Sequence, residues 1–84
     1  MKKINVNNSS TSLAEQVAIE IEKLIQTKEL SKGAQLPNEF ELAETLNVGR
    51  GTIREAIKIL SSKNVVEVLR GKGTFVSQQT GIVK

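Results

Sequence analysis

The chain has 84 residues, 38% of them hydrophobic and 25% charged, with twelve Lys and Arg against nine acids and a net charge of +3. That balance describes one small globular domain rather than a disordered segment. It holds no Cys, His, Trp, Tyr or Asp, which removes the usual zinc ligands, every Ser–His or Cys–His nucleophilic pair and any disulfide.

Residues 1–11 are polar and aperiodic and read as a loose arm. Ser12 with Glu15 makes a capping box, and Leu13, Val17, Ile21, Leu24 and Ile25 then recur at helical spacing. One buried stripe and a first helix from Leu13 to about Lys28 follow. Leu30–Gly33 reads as a turn. Pro37 punctuates the entry to a second helix, which Asn38 caps with Glu41 as return partner. Leu42, Ala43 and Leu46 give this helix an apolar side, and it ends near Asn47. Ile53, Ala56, Ile57 and Leu60 restart the helical period after a turn of about four residues containing Gly49. Two helices so joined form a helix-turn-helix pattern. Beyond Asn64 the pattern becomes extended: Val65, Val66, Val68 and Leu69 suit one strand, Thr74, Phe75 and Val76 another. Arg70-Gly71-Lys72-Gly73 forms the hairpin tip between them, and residues 77–84 read as the start of a linker. No apolar run approaches the ~20 residues of a membrane span, and no secretory stretch opens the chain. The expectation is a cytoplasmic binding module without catalytic residues, metal, cofactor or membrane.

Charge is unevenly placed along these elements. Residues 1–48 carry five Lys and seven Glu, whereas residues 49–84 carry seven Lys and Arg against Glu55 and Glu67. Arg50, Arg54 and Arg70 all fall within 21 consecutive positions. A solvated basic face would have this composition, but clustering without catalytic chemistry points to a polyanion partner. With Ile53, Ile57 and Leu60 buried, Arg54, Lys58 and Ser61 face outward together. Arg50 and Gly51 occupy the first turn of the third helix, where unpaired amides favour anions and where a helix-turn-helix reaches base edges. At the tip, the two glycines are explained by turn chemistry alone, or the backbone amides with Arg70 and Lys72 lie along a minor groove. Phe40 and Phe75 are the only aromatics, so stacking platforms for single strands are disfavoured. A winged helix used for protein contact, and an enzyme fragment, are the rival readings.

Three separated motifs carry a resemblance. Leu36-Pro37-Asn38-Glu39 opens the second helix, Arg50-Gly51-Thr52-Ile53-Arg54-Glu55-Ala56 the third, and Gly71-Lys72-Gly73-Thr74-Phe75-Val76 ends the hairpin. In this order and spacing they resemble the DNA-binding domain of GntR-family bacterial transcription regulators. With the first helix the resemblance covers about 65 of 84 residues. It implies an α+β fold, a winged helix-turn-helix of three helices and a two-stranded hairpin wing, over residues 12–76. It also implies sequence-specific binding of double-stranded DNA, the recognition helix in the major groove and the wing in the minor groove. On that resemblance Arg50 reads guanine, Arg54 contacts a base or phosphate, and Thr52 does the same between them. Gly71 enters the minor groove beside Arg70. A guanidinium suits the first role because it bonds guanine O6 and N7 together.

The chain departs from the family pattern at three places. Phe40 stands where family members commonly carry Arg, so a DNA contact is missing there or Phe40 packs inward. Gly49 replaces the usual Ser or Thr, and Gly51 the small polar residue after the arginine. Gly49 caps a helix without a hydroxyl, and Gly51 costs about 1 kcal/mol of helix stability relative to Ala. Family regulators continue into an effector-binding, dimerising domain. The expectation is therefore a piece of a longer regulator, resembling the FadR-type branch. Such a regulator binds a palindromic operator as a homodimer and takes a small-molecule effector in the absent domain.

Overall fold

The elements follow one another as α1 (Leu13–Thr27), α2 (Glu39–Leu46), α3 (Arg50–Ser62), β1 (Val66–Leu69) and β2 (Gly73–Val76). The computed structural model describes residues 12–78, so the expected arm of residues 1–11 and all but the first two residues of the expected linker lie outside the described residues.

Two helices start with reciprocal caps. Ser12 Oγ accepts from the Glu15 amide at 3.1 Å and the Glu15 carboxylate accepts from the Ser12 amide at 3.0 Å. Asn38 and Glu41 repeat the arrangement at 2.8 and 3.1 Å. Each pair satisfies two amides that the helix itself leaves without partners. Helix α3 has Gly49 at this position and no side-chain cap.

All three helices stop in one way. Glu29, Asn47 and Asn64 take left-handed φ values of 54°, 57° and 62°. The next residue's amide then reaches back five positions: Leu30 to the Ile25 carbonyl, Val48 to Ala43 and Val65 to Leu60, at 3.0, 3.1 and 2.9 Å. This is the Schellman stop, with an apolar residue locked just past the helix. Leu30, Val48 and Val65 all pack against the core. Asn tolerates the left-handed region because its short side chain bonds locally. The same geometry removes Val65 from the predicted first strand, since its amide already serves the Leu60 carbonyl.

The core joins every element: Val17, Ala18 and Ile21 of α1, Leu42 and Ala43 of α2 with Leu36 just before it, Ile53, Ala56 and Leu60 of α3, then Val66 and Val76. Leu13 departs from the predicted stripe. It is 55% exposed, one turn ahead of Val17, the first core residue of α1. Ala18 joins the buried side instead. Ile57 and Ser61 are each half-buried, rather than buried and outward-facing respectively.

β1 and β2 pair antiparallel, with Val66 opposite Val76 and Leu69 opposite Gly73. A third piece of extended chain borders β2 on its other side. The Leu36 amide donates to Thr74 and the Val76 amide to Ala34, both at 2.8 Å, placing Gln35 opposite Phe75. The hairpin is therefore braced along both edges of β2. Ser77, just past β2, is buried and its amide donates to the Val65 carbonyl at 3.0 Å.

Candidate nucleic-acid interface

Helix α3 is sided by its core contacts. Ile53 and Ala56 are 0% exposed and Leu60 1%, which leaves Arg50, Gly51, Arg54 and Lys58 exposed and Thr52 half-buried. The N-terminus of α3 also differs chemically from the other two. It carries neither a side-chain cap nor an acid in its first turn, whereas α1 and α2 have Glu15 and the pair Glu39 and Glu41 there. The partial positive charge of the helix end and the guanidinium of Arg50 thus sit together in water.

The cations differ in how committed they are. Arg54 Nε and Nη2 donate to the two carboxylate oxygens of Glu39 at 3.0 and 3.2 Å, a side-on fork between α3 and the first residue of α2. The hydrogen bond and the charge of Glu39 hold the Arg54 guanidinium above its ordinary pKa. The fork uses two of its five N–H donors and leaves three for another acceptor. An exposed pair of this kind adds little stability, so its consequence is to fix the direction of the guanidinium. Lys58 Nζ lies 3.4 Å from Glu55. Among the described residues, Arg50, Arg70 and Lys72 have no carboxylate partner.

Glu39 is the residue that the sequence argument missed. It was visible only as a letter of a motif, because its partner is fifteen positions away.

The three departures now have positions. Phe40 does not pack inward: it is 54% exposed and lines a shallow groove with Gly49 and Arg50. Neither Gly49 nor Gly51 is demanded by the backbone, since neither has a positive φ and a Cβ at either would meet nothing within 4 Å. Gly51→Ala is accordingly expected to raise stability by about 1 kcal/mol in urea denaturation, the difference in helix propensity. A neutral or destabilising result would show that the α3 start resists a side chain there.

At the hairpin tip, the Lys72 amide donates to the Leu69 carbonyl at 2.9 Å, closing a turn with Gly71 at its third position. Gly71 has φ 77° and Gly73 φ 130°, values that side chains resist. Turn geometry thus accounts for both glycines. Arg70, Gly71 and Lys72 are exposed on this tip. A groove lined by Arg54, Ile57 and Lys58 on one wall and Val68 and Thr74 on the other joins α3 to the hairpin. The site residues therefore form two groups: Gly49, Arg50, Gly51, Thr52, Arg54 and Lys58 along α3, and Arg70, Gly71 and Lys72 at the tip.

A helix-turn-helix whose outward helix is basic and whose flank is a β-hairpin is a winged helix-turn-helix. The chain belongs to the GntR family: the model of "Bacterial regulatory proteins, gntR family" matches residues 13–76. Among its relatives is the HTH-type transcriptional repressor NanR of Citrobacter rodentium, 42% identical over 66 residues, which are 79% of this chain and 25% of NanR. The chain thus spans about a quarter of the length of the curated relatives it matches. Its fold is similar to a GntR protein of Streptococcus agalactiae, with 48% identity and a TM-score of 0.79 over 84% of this chain and 34% of that one. It is also similar to the AraR DNA-binding domain crystallised in complex with an operator, at 34% identity and a TM-score of 0.72, covering 81% of this chain and 82% of that one. The family is one of regulators rather than enzymes, in line with the reading of the composition. Among the described residues no helix is long and apolar enough to cross a membrane.

Proposed function

We propose that this chain binds double-stranded DNA sequence-specifically as the DNA-binding domain of a GntR-family transcription regulator. The observation that carries the reading is the start of α3, where an uncapped helix end and an unpaired Arg50 stand exposed together. The likeness to AraR, whose DNA-binding domain was crystallised on its operator, supports it. In this reading Arg50 spans guanine O6 and N7 in the major groove. Thr52, Lys58 and the backbone at Gly49 and Gly51 meet phosphates or base edges, and Arg54 uses the donors that Glu39 leaves. Arg70, Gly71 and Lys72 lie along the minor groove. Residues 12–76 form this unit. The whole regulator is a cytoplasmic homodimer on a palindromic operator, with an effector bound in a further domain, and acts as a repressor as NanR is named.

The test is selection of bound duplexes from a randomised pool at two salt concentrations. A guanine-containing half-site, bound with affinity that falls steeply with salt, is the expected result. Absence of duplex binding at low salt would sink the proposal. On the selected site, Lys72→Ala is expected to weaken all sequences alike and lower the salt slope by about one. A loss confined to one base pair would contradict a backbone role for Lys72.

A further inference from the structure

We infer that Gln35 is a positioning residue for the wing, holding its tip from outside the hairpin so that Arg70 and Lys72 meet DNA already ordered. The inference rests on the DNA-binding reading and adds a residue that no motif contains. Gln35 stands opposite Phe75 on the strand-like segment before α2. Side chains two positions apart on a strand share a face, so Gly73 lies on the face of Phe75, beside Gln35 and towards the tip. The Gln35 side chain runs across that bare glycine, and its Nε2 donates to the Lys72 carbonyl at 3.1 Å. A Cβ on Gly73 would come within 2.5 Å of the same Nε2. Gly73 is required for its φ of 130°, and a side chain there would also push the Gln35 amide out of its path to Lys72.

The support behind Gln35 is rigid. Leu36 next to it is 5% exposed in the core, Pro37 fixes the following φ, and Asn38 is held in a capping box. The object being held is not rigid by itself, because an isolated two-stranded hairpin is marginal in water. Lys72 is held by both of its backbone polar groups, its amide donating to Leu69 and its carbonyl accepting from Gln35. Ordering the tip before binding removes an entropy cost that the DNA contacts would otherwise offset. The bond is exposed, so the fold does not depend on it.

The experiment uses the 84-residue chain and its selected half-site, with Gln35→Ala and Gln35→Leu placed in the parent and in an Arg70→Ala/Lys72→Ala background. Gln35→Leu keeps the bulk over Gly73 and lacks the donor. Both variants are expected to lose about two- to tenfold in affinity, the range of one net hydrogen bond, at an unchanged thermal midpoint. Backbone order parameters of Gly71, Lys72 and Gly73 are expected to fall with them. In the background lacking the tip cations, neither variant should cost anything more, since residues acting through one contact are not additive. Equal losses in both backgrounds, or unchanged affinity whatever the order parameters do, would overturn the inference. If the parent itself binds no duplex, the DNA reading fails, and the order parameters alone decide whether Gln35 holds the tip.

Discussion

Ile53→Ala is expected to remove about 2–5 kcal/mol of stability, the usual cost of truncating a fully buried branched side chain. A domain of this size holds only about 4–13 kcal/mol in total. The variant should therefore unfold at a markedly lower urea midpoint and leave a measurable unfolded fraction in buffer. Ile53 is 0% exposed and belongs to a core cluster with members from all five elements. It also lies between Thr52 and Arg54, so the interface residues point outward only because Ile53 points inward. A change below about 1 kcal/mol would mean that the core closes over the vacancy, which close packing seldom permits. Part of any loss of DNA binding by this variant would be loss of folded protein, and titrations need correcting for it.

The same residue shows why much of the fold was legible in the sequence. Ile53, Ala56 and Leu60 recur with the helical period because one helix face is dry, and that period survives in the letters. The caps at Ser12 and Asn38 were legible because their partners sit three residues away. The ends of the helices were legible too, near Lys28, Asn47 and Asn64. What escaped was long in range or required backbone angles: the left-handed residues that make those stops include Glu29, a residue type that gives no warning of one. The fork from Arg54 to Glu39 and the bond from Gln35 to Lys72 span 15 and 37 positions, distances over which composition and period carry nothing. Leu13 marks the opposite failure: the helical period draws it into the buried stripe, yet it is exposed. For Phe40 the departure from the family pattern left two places open, and the residue takes the exposed one. In the candidate site, residue types and helix face could be read beforehand, whereas the partners that aim Arg54 and the tip could not.

Arg50→Ala is expected to reduce affinity for the selected half-site by roughly 5- to 150-fold, corresponding to about 1–3 kcal/mol for one bidentate base contact. Affinity for random duplex should fall far less, so the mutant's preference should relax at one base pair. Arg50 is the cleanest residue on which to ask this. It has no carboxylate partner among the described residues, and it stands beside Gly49 and Gly51, whose missing side chains leave its approach open. Its removal therefore deletes a contact to DNA without unpairing anything in the protein. Arg54 lacks that advantage. Truncating it would free the Glu39 carboxylate beside the phosphates, and the added repulsion would weaken every sequence whatever base Arg54 touched. A half-site still bound with parental preference by Arg50→Ala would move recognition elsewhere on α3. Equal losses on operator and random duplex would make Arg50 a phosphate contact, and the enriched guanine would then need another reader.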